Sequence, residues 1–155
     1  MSVANSPARA VPHGAGRLLG LDLGARRIGV AVCDSAGTVA TGVATIERSG
    51  DPARDRRRVA ELADDYGAVG VVVGLPLSMS GRAGPAAAAA LAEVDALRAA
   101  LDVPVDTVDE RLTTVAAAGA LRRSGRSARD ARAVIDREAA AGILQSWLDR
   151  RRSGR

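Results

Sequence analysis

An aspartate interrupts an otherwise apolar run, Leu18-Leu19-Gly20-Leu21-Asp22-Leu23-Gly24, and the run resumes after a short turn as Ile28-Gly29-Val30-Ala31-Val32-Cys33. Runs of this length bounded by glycine read as strands buried on both faces. The turn between them, Gly24-Ala25-Arg26-Arg27, makes the pair a hairpin. A charge inside such a run costs several kcal/mol unless a partner compensates it. Asp22 therefore constrains both the fold and the chemistry. Either it caps its own turn, or it holds a divalent metal or metal-bound phosphate where the glycines let a ligand approach the backbone.

The rest of the chain alternates. Thr38–Ile46 reads as a third strand after the turn Asp34-Ser35-Ala36-Gly37, completing an antiparallel meander. Asp51-Pro52 opens a helix that runs to about Tyr66 and is closed by Gly67. Val69–Val73 is a fully apolar strand ending in Gly74-Leu75-Pro76, and a loop follows over Leu77–Gly84. Pro85 opens an Ala/Leu-rich helix to about Leu101, and Val103–Val108 is a short strand before Asp109-Glu110-Arg111. Leu112-Thr113-Thr114 begins a helix to about Arg123, and Ser124–Arg129 is a basic linker. A last helix starts at about Asp130 or Ala133 and ends at Leu148. A meander followed by helix–strand–helix–strand predicts an α/β fold: a mixed five-stranded sheet whose later strands lie parallel to the first, with helices at its flanks. Ligands of such sheets bind beyond the carboxyl ends of the strands. Asp22, Gly74-Leu75-Pro76 and Asp109-Glu110 all fall at ends of that kind.

The 155 residues suit one domain, predicted over 17–149 between a disordered amino-terminal tail, 1–16, and a frayed basic end, 150–155. The only histidine, His13, falls in the first tail, which argues against histidine chemistry. A single cysteine, Cys33, excludes an internal disulfide, fits a reducing cytoplasm, and reads as a small buried hydrophobe rather than a redox thiol. No apolar run reaches the roughly 18 residues of a membrane span. All 22 basic residues are arginine, a composition bias rather than a mechanistic signal. Their placement says more: residues 18–120 hold 10 arginines against 14 acids, residues 121–155 hold 10 against 4. An acidic centre beside a basic flank suits a metal site next to a polyanion-binding surface, and equally a solvated surface with a basic tail. Arg26 and Arg111 beside the acids, and Arg122, Arg123 and Arg126 on the flank, are the candidate phosphate contacts.

Two further acids stand out. Glu110 lies just past a strand end, where it meets the same rim as Asp22 or pairs with Arg111. Asp136 precedes Ala140, Ile143 and Trp147 by 4, 7 and 11 residues, so it shares the apolar face of the last helix. There it needs a cation, a donor or a metal, unless it merely favours the dipole of the first turn. Asp22, Glu110 and Asp136 offer oxygen ligands only, which select Mg²⁺ or Mn²⁺. Two such ions, bridged by Asp22 and completed by Glu110 and Asp136, suffice to hydrolyse a phosphodiester.

Four segments in order, Leu19–Ala31, Val73–Gly81, Val108–Thr114 and Ile135–Leu148, resemble the YqgF/RuvX family of pre-16S rRNA nucleases, also described as Holliday junction resolvases. The resemblance implies a ribonuclease-H-like fold, catalytic acids at Asp22, Glu110 and Asp136, and a cytoplasmic nuclease that matures the 5′ end of precursor 16S rRNA. Arg137-Glu138 departs from the smaller residues usual after the last acid. A junction resolvase makes two symmetric cuts and so favours a dimer. The last helix spends its apolar face on the core, which predicts a monomer or weak homodimer acting on RNA. Two rivals belong to other classes. One is a non-catalytic RNA-binding assembly factor. The other is a nucleotide-binding module, since the Asp22 signature is also similar to the phosphate loop of the actin and sugar-kinase superfamily, which needs two such domains.

Overall fold

The computed structural model describes residues 9–76, 84–112 and 128–153. Among them, strands β1 (Leu18–Leu23), β2 (Arg27–Cys33), β3 (Ala40–Glu47), β4 (Gly70–Leu75) and β5 (Val105–Asp109) form one sheet in the order β3-β2-β1-β4-β5. β1, β2 and β3 pair antiparallel as the meander predicts, and β4 and β5 extend the other side of β1 in parallel. The parallel run brings the carboxyl ends of β1, β4 and β5 to one rim.

Helices α1 (Pro52–Asp65) and α2 (Pro85–Ala100) and helix α3 (Ala128–Ser153) belong to two separate apolar cores. Asp51 caps α1 by accepting from the Ala53 amide at 3.1 Å, and Gly67, at φ +63°, ends it in the left-handed conformation. Strand alternation sorts the side chains between the cores. Leu19, Leu21, Val71 and Val73 join Val59, Leu62, Val94 and Leu97 of α1 and α2. Leu18, Ala31, Cys33 and Val72 join Ala140, Ile143, Leu144, Trp147 and Leu148 of α3. Cys33 is buried there, accepts from the Leu18 amide at 3.2 Å, and has its thiol pKa pushed up by burial, as suits a packed hydrophobe.

Glycines let α3 lie close on the meander. A Cβ at Gly29 of β2 would stand 1.9 Å from the Asp136 carbonyl oxygen, and one at Gly42 of β3 would stand 2.8 Å from Arg137. A Cβ at Gly20 of β1 would meet Leu144 at 2.7 Å. Only glycine admits this approach without displacing the helix.

Described residues of both expected tails pack on the sheet or continue a helix. Residues 9–16 are packed: Val11 is buried against β4, Gly16 donates to Ser35, and His13 Nε2 lies 3.2 Å from the Gly37 carbonyl. At the other end α3 starts at Ala128 and continues through Ser153, five residues past Leu148. Arg151 and Arg152 are anchored rather than frayed. Arg151 lies 4.7 Å from the Trp147 ring centre and 3.0 Å from Asp106, and Arg152 pairs with Asp149. The expected helix from Thr113 to Arg123, the linker to Ser127 with Arg122, Arg123 and Arg126, and the loop over 77–83 lie outside the described residues. No helix among the described residues is long and apolar enough to cross a membrane.

Candidate active site

Asp22 shares its face of β1 with Leu18 and Gly20, the face that α3 covers. Its register partner on β2 is Gly29, the residue pressed against the Asp136 backbone. From the other side, β5 ends at Asp109 and delivers Glu110 at the head of a 3₁₀ turn, Glu110–Leu112. Gly74 makes room for it: a Cβ there would stand 2.8 Å from Glu110 Cγ and 2.6 Å from Ile143 Cδ1. The Asp22 and Glu110 carboxyl groups hydrogen-bond to each other. Asp22 does not cap its turn with its side chain; the Gly24 amide bonds instead to the Asp22 carbonyl, at 3.1 Å.

Burial and like charge act together on this pair. Burial pushes the Asp22 pKa up, the hydrogen bond from Glu110 works against that rise, and the nearby Asp136 charge adds to it. Glu110 is pushed up to about 7, first by burial, then by the charge of Asp22 and the hydrogen bond to it, and last by Asp109. Glu110 therefore holds the shared proton near neutral pH while Asp22 accepts it. Two carboxyls held this close share oxygens that suit a hard divalent ion.

Asp136 is placed differently. It lies two turns inside α3, so the first-turn dipole explanation fails. Its Oδ2 accepts from Arg27 Nε at 2.6 Å, while its Oδ1 bonds no described residue. Its charge reaches Asp22, but no hydrogen bond joins it to either other acid. Among the described residues no set of three acidic, histidine or cysteine groups is drawn together as a ready-made metal cage. Asp22 and Glu110 are brought into contact; Asp136 adjoins them through its field.

Arg111 is not Glu110's partner. Its guanidinium grips Asp109, with Nε 2.9 Å and Nη2 2.5 Å from Oδ2, which lowers the Asp109 pKa. Glu138 is exposed, and Arg137 sits over Gly42 of β3. Arg26 is exposed in the turn, one residue before β2. The residue that sequence reasoning missed is Arg27. Alternation could have found it: in β2 it is in phase with Gly29, Ala31 and Cys33, the positions that face α3.

A mixed sheet of this order with acids at the rim of β1 and β5 and on the covering helix defines a ribonuclease-H-like nuclease architecture. Solved structures share it at the level of fold. Thermus thermophilus RuvC bound to a Holliday junction substrate superposes with a TM-score of 0.56 at 18% identity, covering 90% of this chain and 96% of that one. The yeast mitochondrial Holliday junction resolvase Ydc2 gives 0.53 at 11% identity, over 93% and 80%. Residues 16–150 match the family described as "RuvX: Holliday junction resolvase". Relatives named "Putative pre-16S rRNA nuclease" are 51% identical in Rhodococcus opacus, over 89% of this chain and 80% of that protein, and 49% identical in Nocardia farcinica, over 94% and 84%. The chain belongs to the RuvX family, and it is a nuclease of that family.

Proposed function

We propose that this protein hydrolyses phosphodiester bonds of structured RNA with Mg²⁺ or Mn²⁺, and that its substrate is precursor 16S rRNA, whose 5′ end it matures in the cytoplasm. The observation that carries the reading is the hydrogen-bonded Asp22–Glu110 pair, half-buried at the rim where β1 and β5 end, with Asp136 beside it. The donor set suits a divalent ion: Asp22 and Glu110 would hold one, and Asp136 would use its unbonded Oδ1 toward a second. Such ions would supply an activated water and offset charge on the phosphate. Asp22, at the carboxyl end of β1, would orient the site. Glu110 carries a proton near neutral pH, which it would release on holding a cation. The names of the relatives support precursor rRNA as the substrate. The apolar face of α3 is spent on the sheet, which supports a monomer or weak homodimer.

The test is a side-by-side cleavage assay on a precursor 16S rRNA transcript and a four-way DNA junction, with Asp22→Asn as control. Metal-dependent cutting of the transcript, abolished in the variant, is the expected result. Symmetric cutting of the junction without RNA cleavage would establish the resolvase reading instead.

A further inference from the structure

Beside the acids, the β1–β2 turn and the β3–α1 junction enclose a groove of about 550 Å³ lined by Arg26, Arg27, Glu47, Arg48 and Gly50 among others. Its arginines are not equivalent. Arg48 is spent on the scaffold: Nε donates to the Gly24 carbonyl at 2.7 Å, and both Nη atoms donate to Glu93 at 3.0 Å. That clamp fixes the turn against α2. Asp55 is turned inward, buried and bonded by the Ser49 amide and hydroxyl. Arg27 joins the groove to the acids: its Nε is held by Asp136, and its two Nη groups bond no described residue. Arg26, exposed next to it, also bonds no described residue through its side chain.

A guanidinium whose plane is fixed by one carboxylate and whose terminal N–H groups are free is pre-set for a phosphate oxygen pair. We propose that this groove takes a backbone phosphate of the nucleic-acid strand adjoining the acids, with Arg27 as its main ligand, aimed by Asp136, and Arg26 as a second contact. The proposal rests on the nuclease reading above. The two oxygens of Asp136 then differ: Oδ2 positions Arg27, and Oδ1 bonds no described residue. The groove also gives a role to both arginines, Arg26 in the β1–β2 turn and Arg27 at the start of β2.

The test is the binding of a fluorescein-labelled precursor 16S rRNA 5′ transcript, followed by anisotropy without divalent ions from 50 to 200 mM salt, where no cleavage intervenes. Arg27→Gln should weaken binding roughly tenfold and reduce the slope of log K against log salt by about one, the signature of one lost phosphate contact. Arg26→Gln should give a smaller loss of the same kind, and it removes no bond to a described residue, so it tests the groove even if Arg27→Gln folds poorly. Arg27→Lys should restore the slope but only part of the affinity, since an ammonium cannot reproduce the fork. In cleavage assays Arg27→Gln should act mainly on KM. Asp136→Asn should add no further loss of metal-free binding in the Arg27→Gln background, because the two act as a unit. Unchanged slope and affinity in folded Arg27→Gln and Arg26→Gln, or additive losses for Arg27 and Asp136, would overturn the proposal. A wild-type protein that cleaves no RNA would instead sink the nuclease reading, and the slope measurement would still stand.

Discussion

Both ends of the sheet's α3 face carry acids, and they treat them in opposite ways. At the end where β5 begins, Asp106 Oδ2 accepts from Trp147 Nε1 at 2.8 Å and from Arg151 at 3.0 Å, and Arg151 stacks on the Trp147 ring, which His13 meets edge-on at 6.0 Å. Each polar group there has a partner, and together they pin the end of α3 to the sheet. At the other end the Asp22 and Glu110 carboxyls face each other, and the charge of neighbouring acids raises their pKa values. One helix and one sheet thus hold a cluster in which an acid meets its donors and one in which acids are pressed together. Carboxyls packed together at the cost of raised pKa values are what a site retains for a ligand, whereas the Asp106 cluster is structural.

The sharpest way to break this contrast is Asp22→Asn. It removes one charge from a repelling pair, so the fold should persist, with thermal unfolding at or above the wild-type temperature. Cleavage should fall at least about a thousandfold, equivalent to ~4 kcal/mol of barrier. Near wild-type cleavage with metal present would show that the Asp22–Glu110 end is not the active site.

Gly29→Ala comes next, and it acts on stability rather than chemistry. The added Cβ would sit 1.9 Å from the Asp136 carbonyl oxygen, a backbone atom that cannot move without α3. A cost of about 3 kcal/mol, at the upper end of overpacking, is expected in urea unfolding. Because the helix carries Asp136, activity should fall with it. At the satisfied end, Asp106→Ala should cost about 1–2 kcal/mol by leaving the Trp147 N–H and Arg151 without their acceptor, while kcat stays near wild type. Loss of activity in Asp106→Ala at full stability would dissolve the distinction between the two ends.

Much of this was legible in the sequence because it rests on local pattern. Glycine-bounded apolar runs gave β1 and β2, Asp51-Pro52 and Gly67 bracketed α1, and the 4, 7, 11 spacing placed Asp136 on the covered face of α3. The misses are long-range. Nothing near Val11 or His13 announces that the amino-terminal segment packs across β4 and the β2–β3 turn. The arginines after Leu148 looked like a frayed end because Asp106, which anchors Arg151, is 45 residues away. Arg27 was hidden by Arg26: adjacent residues of one type are separated only by strand phase, and the turn leaves open where the strand begins. Glu110's contact with Asp22 was likewise nonlocal, since Arg111 is captured by Asp109 two residues earlier and Asp22 arrives from another strand.

The gentlest probe of the contrast is pH. Glu110 has an ordinary value of 4.5 and is pushed up to about 7 in the folded chain by burial and by Asp22. Between those values the native state keeps a proton that the unfolded state has released. Stability therefore falls as pH rises from about 4.5 to about 7 and levels off outside that window. Glu110 is only half-buried, so solvent screening keeps the effect modest. In urea unfolding with EDTA, the wild type should lose stability across that window relative to Glu110→Gln, which has no proton to release. Added Mg²⁺ should raise the wild-type unfolding temperature more at pH 7.5 than at pH 5, because a cation competes with the shared proton for the same oxygens. Parallel pH profiles for the two proteins, with no Mg²⁺ effect at either pH, would mean that the Asp22–Glu110 pair is as settled as Asp106.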